Sequence, residues 1–447
     1  TLGWLPRLTR VTARVPGLAT LANAIMSFTP LRSLAFRLIG LDPRRGMPAL
    51  QSGTFTAWAR RHSLLADSVP AGDAASSFTA TSGTATPAAA APSAASSAAA
   101  SSAAATDARE RDGAPASPGP TRECDGVPAS PTPASPGPTR ERDGAPTSPT
   151  PASPGPTRER DGVPTSPTPA SSGSTRKRDG VPASSVADSP ILSGPRDPSG
   201  RPYALVWADS FSQTLDDAGA RAVVDVLEAN GFAPIVAPDA CCGLTWITTG
   251  QLTGAKKHLS SLLGVLAPFA ASGIPIVGVE PSCTAVLRDD LLDLLPEDPR
   301  SMLVSRATRT LAEVLSAVPA SERRLPSLEG VEIVAQPHCH HYSVMGWDTD
   351  QALLESLGAR VTRLEGCCGL AGNFGMEAGH YDLSVAVASH SLLPSLSAQP
   401  DAVYLADGFS CRTQAAQLAG RGGVHLATLL AGRGGVHLAT PLAGHAD

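Results

Sequence analysis

The sequence predicts an α/β fold: two similar half-domains with parallel-sheet character, preceded by a short helical segment and a long disordered linker. Three observations carry this reading. From Arg201 onward, short β-rich runs alternate with helical ones, the pattern of strands joined by crossover helices. Within that region one arrangement of cysteines recurs at offsets of 126 and 128 residues. Between Asp67 and Pro198, large apolar residues nearly vanish and more than half of the 42 prolines crowd in, so this stretch cannot build a core. The expected boundaries are 1–66 for the helical segment, 67–200 for the linker, 201–325 and 326–430 for the half-domains, and 431–447 for a duplicated tail.

In the first segment Leu18, Leu21, Ala22 and Met26, then Leu31, Leu34 and Leu38, stand at helical spacing, and prolines set the boundaries. Phe55 and Trp58 are three apart in SGTFTAWARRH and predict an anchor for one helix face. Residues 1–62 hold nine arginines against the single acid Asp42, which suits a solvated helical face, a membrane surface or an acidic partner. The C-terminal 250 residues are acidic and the whole chain carries a net charge of -5, which argues against nucleic acid as a partner. The uncharged run from Val15 to Leu31 is broken by Pro16 and Pro30, so no segment reaches the roughly 20 apolar residues of a membrane helix. The chain opens at Thr1 with LGWLPRLTRV, which reads as the middle of a longer protein.

The linker contains an 18-residue repeat: TRECDGVPASPTPASPGP from Thr121 returns from Thr139 and again from Thr157. These units have no hydrophobic face to stack, so they predict linker expansion and not a solenoid. Cys124 stands where the next copies have Arg142 and Arg160, and reads as an incidental thiol. A second duplication, AGRGGVHLATLL at 419–430 and AGRGGVHLATPL at 431–442, reads as one copy too many. Its glycines lack the strand-turn-helix context of a nucleotide-binding loop.

The predicted strands are 203–208, 233–237, 274–279, 331–335, 360–364 and 402–406, with helices over 220–229, from Gln251, over 350–357 and over 384–393. Polar or cysteine stations follow each strand. The first half has Asp209, the pair Cys241 and Cys242, and Cys283; the second has Cys339, the pair Cys367 and Cys368, and Cys411. In a parallel sheet, loops after the strands converge at the carboxyl edge, where ligands bind. Glycines beside each pair let backbone approach a bulky group and aim amides at sulfur.

Four convergent thiols match the ligand count of an iron-sulfur cluster or of tetrahedral zinc. Adjacent cysteines point apart and suit different irons of a wide cluster, whereas zinc sites draw on CxxC knuckles. The plainer alternative is a set of buried thiols acting as small hydrophobes. His338, His340 and His341 flank Cys339, placed to tune a cluster or relay protons; Glu280 and Asp407 stand near the same edge, where capping is the ordinary role of an acid. Eight cysteines, with no secretory signal and no dense disulfide spacing, point to a reducing cytoplasm.

DSFSQTL, GVEPSCTAVLRDD, PHCHHYSV, GCCGLAGNFG and LADGFSCRTQ together resemble the cysteine-rich CCG domain. That domain occurs in heterodisulfide reductase and in the iron-sulfur subunits of glycolate oxidase and anaerobic glycerol-3-phosphate dehydrogenase. The likeness is greatest to the C-terminal part of FAD-linked D-lactate dehydrogenase or glycolate oxidase-like proteins, over residues 201 to about 430. The resemblance implies an iron-sulfur cluster, 4Fe-4S or of the non-cubane kind, on Cys339, Cys367, Cys368 and Cys411. It implies electron transfer from a reduced flavin to a quinone or other acceptor, with FAD and a ferredoxin-type cluster on an upstream domain or partner, in a cytoplasmic protein peripheral at the inner face of the membrane. The pattern also departs from the family: Glu280 and Gly408 stand where the first cysteine of a terminal CxxC belongs, and Asp209 leaves the first half with only Cys241, Cys242 and Cys283. The chain has no CxxCxxC run and no recognisable flavin site. The competing expectation is a zinc-stabilised cysteine-rich module that docks a flavoprotein without redox activity.

Overall fold

The computed structural model describes residues 5–70 and 191–433. Cys124, the 18-residue repeats and the tail from Gly434 lie outside the described residues.

Two parallel sheets position the site. The first comprises β1 (Tyr203–Trp207), β2 (Ala233–Val236), β3 (Ile276–Gly278) and β4 (Thr308–Arg309), in the order β2-β1-β3-β4. The second comprises β5 (Glu332–Ala335), β6 (Arg360–Arg363) and β7 (Val403–Leu405), in the order β6-β5-β7. In both, the strand that comes first in the chain lies between the next two. Val206 pairs with Val236 and Val277, and Val334 pairs with Thr362 and Tyr404. Parallel neighbours need crossovers, and helices such as Ala218–Ala229 between β1 and β2 and Asp348–Ser356 between β5 and β6 supply them.

Alternation along β1 feeds two cores. Ala204 and Val206 face a core shared with Ile333 and Ala335 of the second sheet, while Leu205 and Trp207 face another built on the Leu252–Ala271 helix. Burial on both faces explains why YALVW reads as a continuous apolar run.

The N-terminal segment forms α1 (Leu5–Arg14), α2 (Leu18–Ser27), α3 (Thr29–Ile39) and α4 (Phe55–Arg61). Phe55 is fully buried and stacks on Trp58, with ring centroids 5.3 Å apart, as their spacing predicts. Beyond α4, Leu65 bridges to Val236 and extends the first sheet past β2. Helices α1 to α3 leave Leu8, Leu21, Phe28, Leu34 and Leu38 exposed. Among the described residues, no helix is long and apolar enough to cross a membrane.

Two features differ from the sequence expectation. The helix expected over 384–393 is two, Tyr381–Ala388 and Leu392–Ala398; Pro394 would clash with the carbonyl of His390 in one continuous helix. Cys283 and Cys411 lie within the first turn of helices, Pro281–Arg288 and Phe409–Ala419. The first C-terminal copy lies within the described chain, with its helix Leu426–Leu430 buried in the shared core.

Candidate functional site

At the carboxyl edge of the second sheet the structure brings four thiols together. Cys339 follows β5, Cys367 and Cys368 follow β6, and Cys411 opens the helix after β7. Their contacts run in a chain, Cys339 to Cys367, Cys367 to Cys368 and Cys368 to Cys411. Cys368 and Cys411 are buried, Cys367 is half-buried and Cys339 is exposed.

The loop carrying the doublet is shaped by glycine. Gly369 has φ 90°, and a Cβ there would lie 2.2 Å from the Ser384 carbonyl oxygen. Its amide points at Cys367 Sγ, 3.3 Å away. Hydrogen bonds from Cys339 and Cys368 favour the thiolate of Cys367 and pull its pKa far down. The same contacts push Cys339 and Cys368 up, aided by burial. Neighbouring sulfurs cannot all ionise without a positive centre among them, and thiolate-bound iron is such a centre. The donor set therefore fits a thiolate-ligated cluster. The sulfurs form an open chain, and among the described residues the group of three metal-capable side chains with ligand atoms mutually within 4.8 Å is His341, Asp350 and Asp407.

The first half gathers Cys241, Cys242 and Cys283 in the same way, with Cys242 touching both others. The fourth place is not a thiol. Asp209 caps α5 (Ser210–Thr214), accepting from the Phe211 amide at 2.7 Å and the Ser212 hydroxyl at 2.7 Å. All three thiols are pushed up. A bond with Cys242 pulls Cys283 down, but burial and the carboxylates of Asp209 and Glu280 outweigh it and raise Cys283 to about 12. No member of this trio is drawn toward the thiolate.

Glu280 and Gly408, the two departures from CxxC, have physical causes. A Cβ at Gly408 would sit 2.3 Å from His338 Cδ2, so the histidine occupies the space a cysteine would need. Glu280 accepts from the Phe409 amide at 2.9 Å and from the Ser282 hydroxyl at 2.9 Å. Burial, then the Asp209 charge, raises its carboxyl to about 7. Burial holds His338 neutral, its pKa lowered to about 3, and Nδ1 accepts from the His340 amide at 3.2 Å. The histidines divide two and one: His338 packs against Gly408 and meets the His340 ring edge to face at 5.3 Å, while His341 turns away toward Asp350. Asp407 likewise faces His341 and His425, and accepts from the Leu426 amide at 2.7 Å.

The N-terminal arginines are not simply a solvated face. Arg45 is fully buried, donating to the Gly375 carbonyl, Ser384 Oγ and Gln414 Oε1, each at 2.7 Å. It ties the CCGLAGNFG loop to the helix of Cys411. Arg10 forks onto Asp239 and reaches Ser210 Oγ at 2.9 Å, beside Cys241. The sequence signal for Arg45 was slight: two arginines after a proline, outside any helical period.

An apolar cavity of about 220 Å³ opens onto Cys339. Its walls include Leu41 and Met47 from the N-terminal segment, Phe211 from the first half, and Leu370 and Phe409 from the second. Phe211 and Phe409 stack with centroids 5.6 Å apart.

No family model matches the chain. It is similar to D-2-hydroxyglutarate dehydrogenase of Escherichia coli (strain K12), 28% identical over 224 residues, 49% of this chain and 22% of that protein. The enzyme of the same name from Pseudomonas putida is 26% identical over 231 residues, 50% of this chain and 22% of that protein. One subunit of the anaerobic glycerol-3-phosphate dehydrogenase of Escherichia coli (strain K12) is 28% identical over 173 residues, 37% of this chain and 42% of that protein. The chain thus spans about a fifth of the hydroxyglutarate dehydrogenases and under half of the glycerol-3-phosphate dehydrogenase polypeptide, and its relatives are oxidoreductases.

Proposed function

We propose that the chain is the iron-sulfur electron-transfer module of an FAD-linked 2-hydroxy-acid oxidoreductase. The observation that carries the reading is the convergence of Cys339, Cys367, Cys368 and Cys411 from the chain segments that follow three different strands. Bound there, a 4Fe-4S or non-cubane cluster would accept and release electrons one at a time. The residues around it supply the setting: the Gly369 amide faces Cys367 sulfur, His338 fills space while neutral, and Arg45 holds the doublet loop on the Cys411 helix.

The second half is the cluster site in this reading. The first half, with Asp209 in place of a thiol, keeps its cysteines for packing. The shared strand order of the two sheets supports a CCG-type pseudo-repeat. The open chain of sulfurs favours a multi-iron cluster over one tetrahedral zinc, whose metal-sulfur bonds of about 2.3 Å draw four sulfurs close.

Similarity to proteins named for D-2-hydroxyglutarate and glycerol 3-phosphate supports a part of a dehydrogenase; in this reading the flavin lies on an upstream domain or partner. The exposed apolar residues of α1 to α3 offer a face for it. The apolar cavity at Cys339 suits a quinone-type acceptor.

Anaerobic reconstitution followed by iron, sulfide and EPR measurement tests the reading. Near-stoichiometric cluster with an EPR signal on reduction is expected; folded protein that takes up zinc but neither iron nor sulfide overturns it in favour of a zinc-stabilised docking module.

A further inference from the structure

A second group of metal-capable side chains lies behind the thiols. His341 comes from a π-helical turn, His341–Met345; such turns are rare and often mark functional positions. Asp350 comes from the helix Asp348–Ser356, and Asp407 follows β7. One ligand atom from each lies within 4.8 Å of the others. The His341 and Asp350 side chains are only 4% and 3% exposed.

His341 and Asp350 lack partners of the usual kind, whereas Asp407 accepts from the Leu426 amide at 2.7 Å. Neither ring nitrogen of His341 nor Asp350 Oδ2 makes a hydrogen bond; Nε2 and Oδ2 approach to 3.4 Å without hydrogen-bond alignment. Gln336 Oε1, on the same cavity wall, has no donor either, because its amide nitrogen is turned to the Gly366 carbonyl at 3.1 Å.

The nearby bases are committed elsewhere. His425 accepts from the Ala427 amide at 3.0 Å through Nδ1, and its Nε2 meets the Val279 carbonyl at 3.1 Å. Arg412 donates to the carbonyls of Ala406 and Asp407 and to the Asp216 carboxylate. A buried histidine with neither ring nitrogen bonded, beside an unbonded Asp350 oxygen, would be costly, and a cation removes that cost.

We propose that His341, Asp350 and Asp407 bind one divalent transition-metal ion of the zinc, manganese or iron(II) class, with Gln336 Oε1 as a fourth donor. Imidazole with carboxylate and amide oxygens suits borderline ions, and the absence of sulfur separates this site from the thiol centre. His341 is two residues from Cys339 and Asp407 is four from Cys411, so the ion would fasten together two loops that carry thiols. The competing occupant is a single water, for which the adjoining cavity of about 20 Å³ has room.

The test is cobalt(II) binding to the full chain in which all eight cysteines are changed to serine, with folding checked by circular dichroism. One equivalent is expected, with visible d-d bands and no sulfur-to-cobalt charge transfer. Asp350→Asn in that background should weaken binding by about tenfold or more, no less than the loss of an outer-sphere partner. Folded protein that takes up no cobalt, or binding that Asp350→Asn leaves unchanged, would overturn the proposal. Should the serine variant fail to fold, the wild-type chain is read instead: a sulfur-free component lost in His341→Gln supports the site, and its absence refutes it. Iron and sulfide content is measured separately, so the two centres stand or fall independently.

Discussion

Glu280 Oε2 accepts the backbone amide of Phe409 at 2.9 Å, a hydrogen bond between residues 129 apart. It joins the helix start carrying Cys283 to the helix start carrying Cys411. Position 280, which departs from the cysteine pattern, thus serves as a strut between the two halves.

That strut makes stability depend on pH. The folded pKa of Glu280, about 7, lies above its ordinary value of 4.5, so the folded state holds the proton more tightly. Stability from this group is full below pH 4.5 and is lost as pH rises through 7. Glu280→Gln keeps an acceptor for Phe409 and removes the charge. It should leave stability near wild type at pH 4.5 and raise it by about 1 to 3 kcal/mol at pH 8; urea denaturation at both pH values reads this, and a loss at pH 8 contradicts it.

Cys368→Ala and Cys411→Ala should each abolish most of the iron bound on reconstitution. Cys283→Ala should keep the iron and cost about 0.5 to 3 kcal/mol as a change in a packed core. Iron analysis paired with thermal melting distinguishes the two outcomes, and equal iron loss in all three variants would assign a cluster role to the first half as well.

Gly408→Ala should cost about 1 to 3 kcal/mol by overpacking against His338. Gly408 has φ -68°, where any residue is comfortable, so the cost comes from space and not from backbone. Adding His338→Ala should return part of the loss. A double-mutant cycle with no coupling would show that the two do not compete for one volume.

Arg45→Met should destabilise by about 3 to 5 kcal/mol, because Gly375, Ser384 and Gln414 each lose a charged donor in a buried site. Arg45→Lys should rescue little, since one ammonium cannot span three acceptors held by a planar fork. Melting temperatures and protease cleavage within 364–375 report the effect; full stability in Arg45→Lys would refute the role of the fork.

The six longer strands are legible in the sequence because β-branched runs such as IPIV and VEIVA end at glycine, proline or polar residues. The doublets and distal cysteines are legible because they follow those strands. Other features leave no local trace. Residues 281–287 are buried on every side, so their helix has no solvent face and no apolar period. The Phe409–Ala419 helix buries Cys411, Gln414 and Ala415, a face that does not read as hydrophobic. Arg45 acquires its meaning only from partners 330 to 369 residues downstream.

That separation fixes an order of events during synthesis. At about 5–20 residues per second, Gln414 leaves the ribosome tens of seconds after Arg45. Through that interval the guanidinium has no buried seat. Arg10 and Leu65 can dock on the first half as soon as it is made, but the seat of Arg45 is completed only near the end of synthesis.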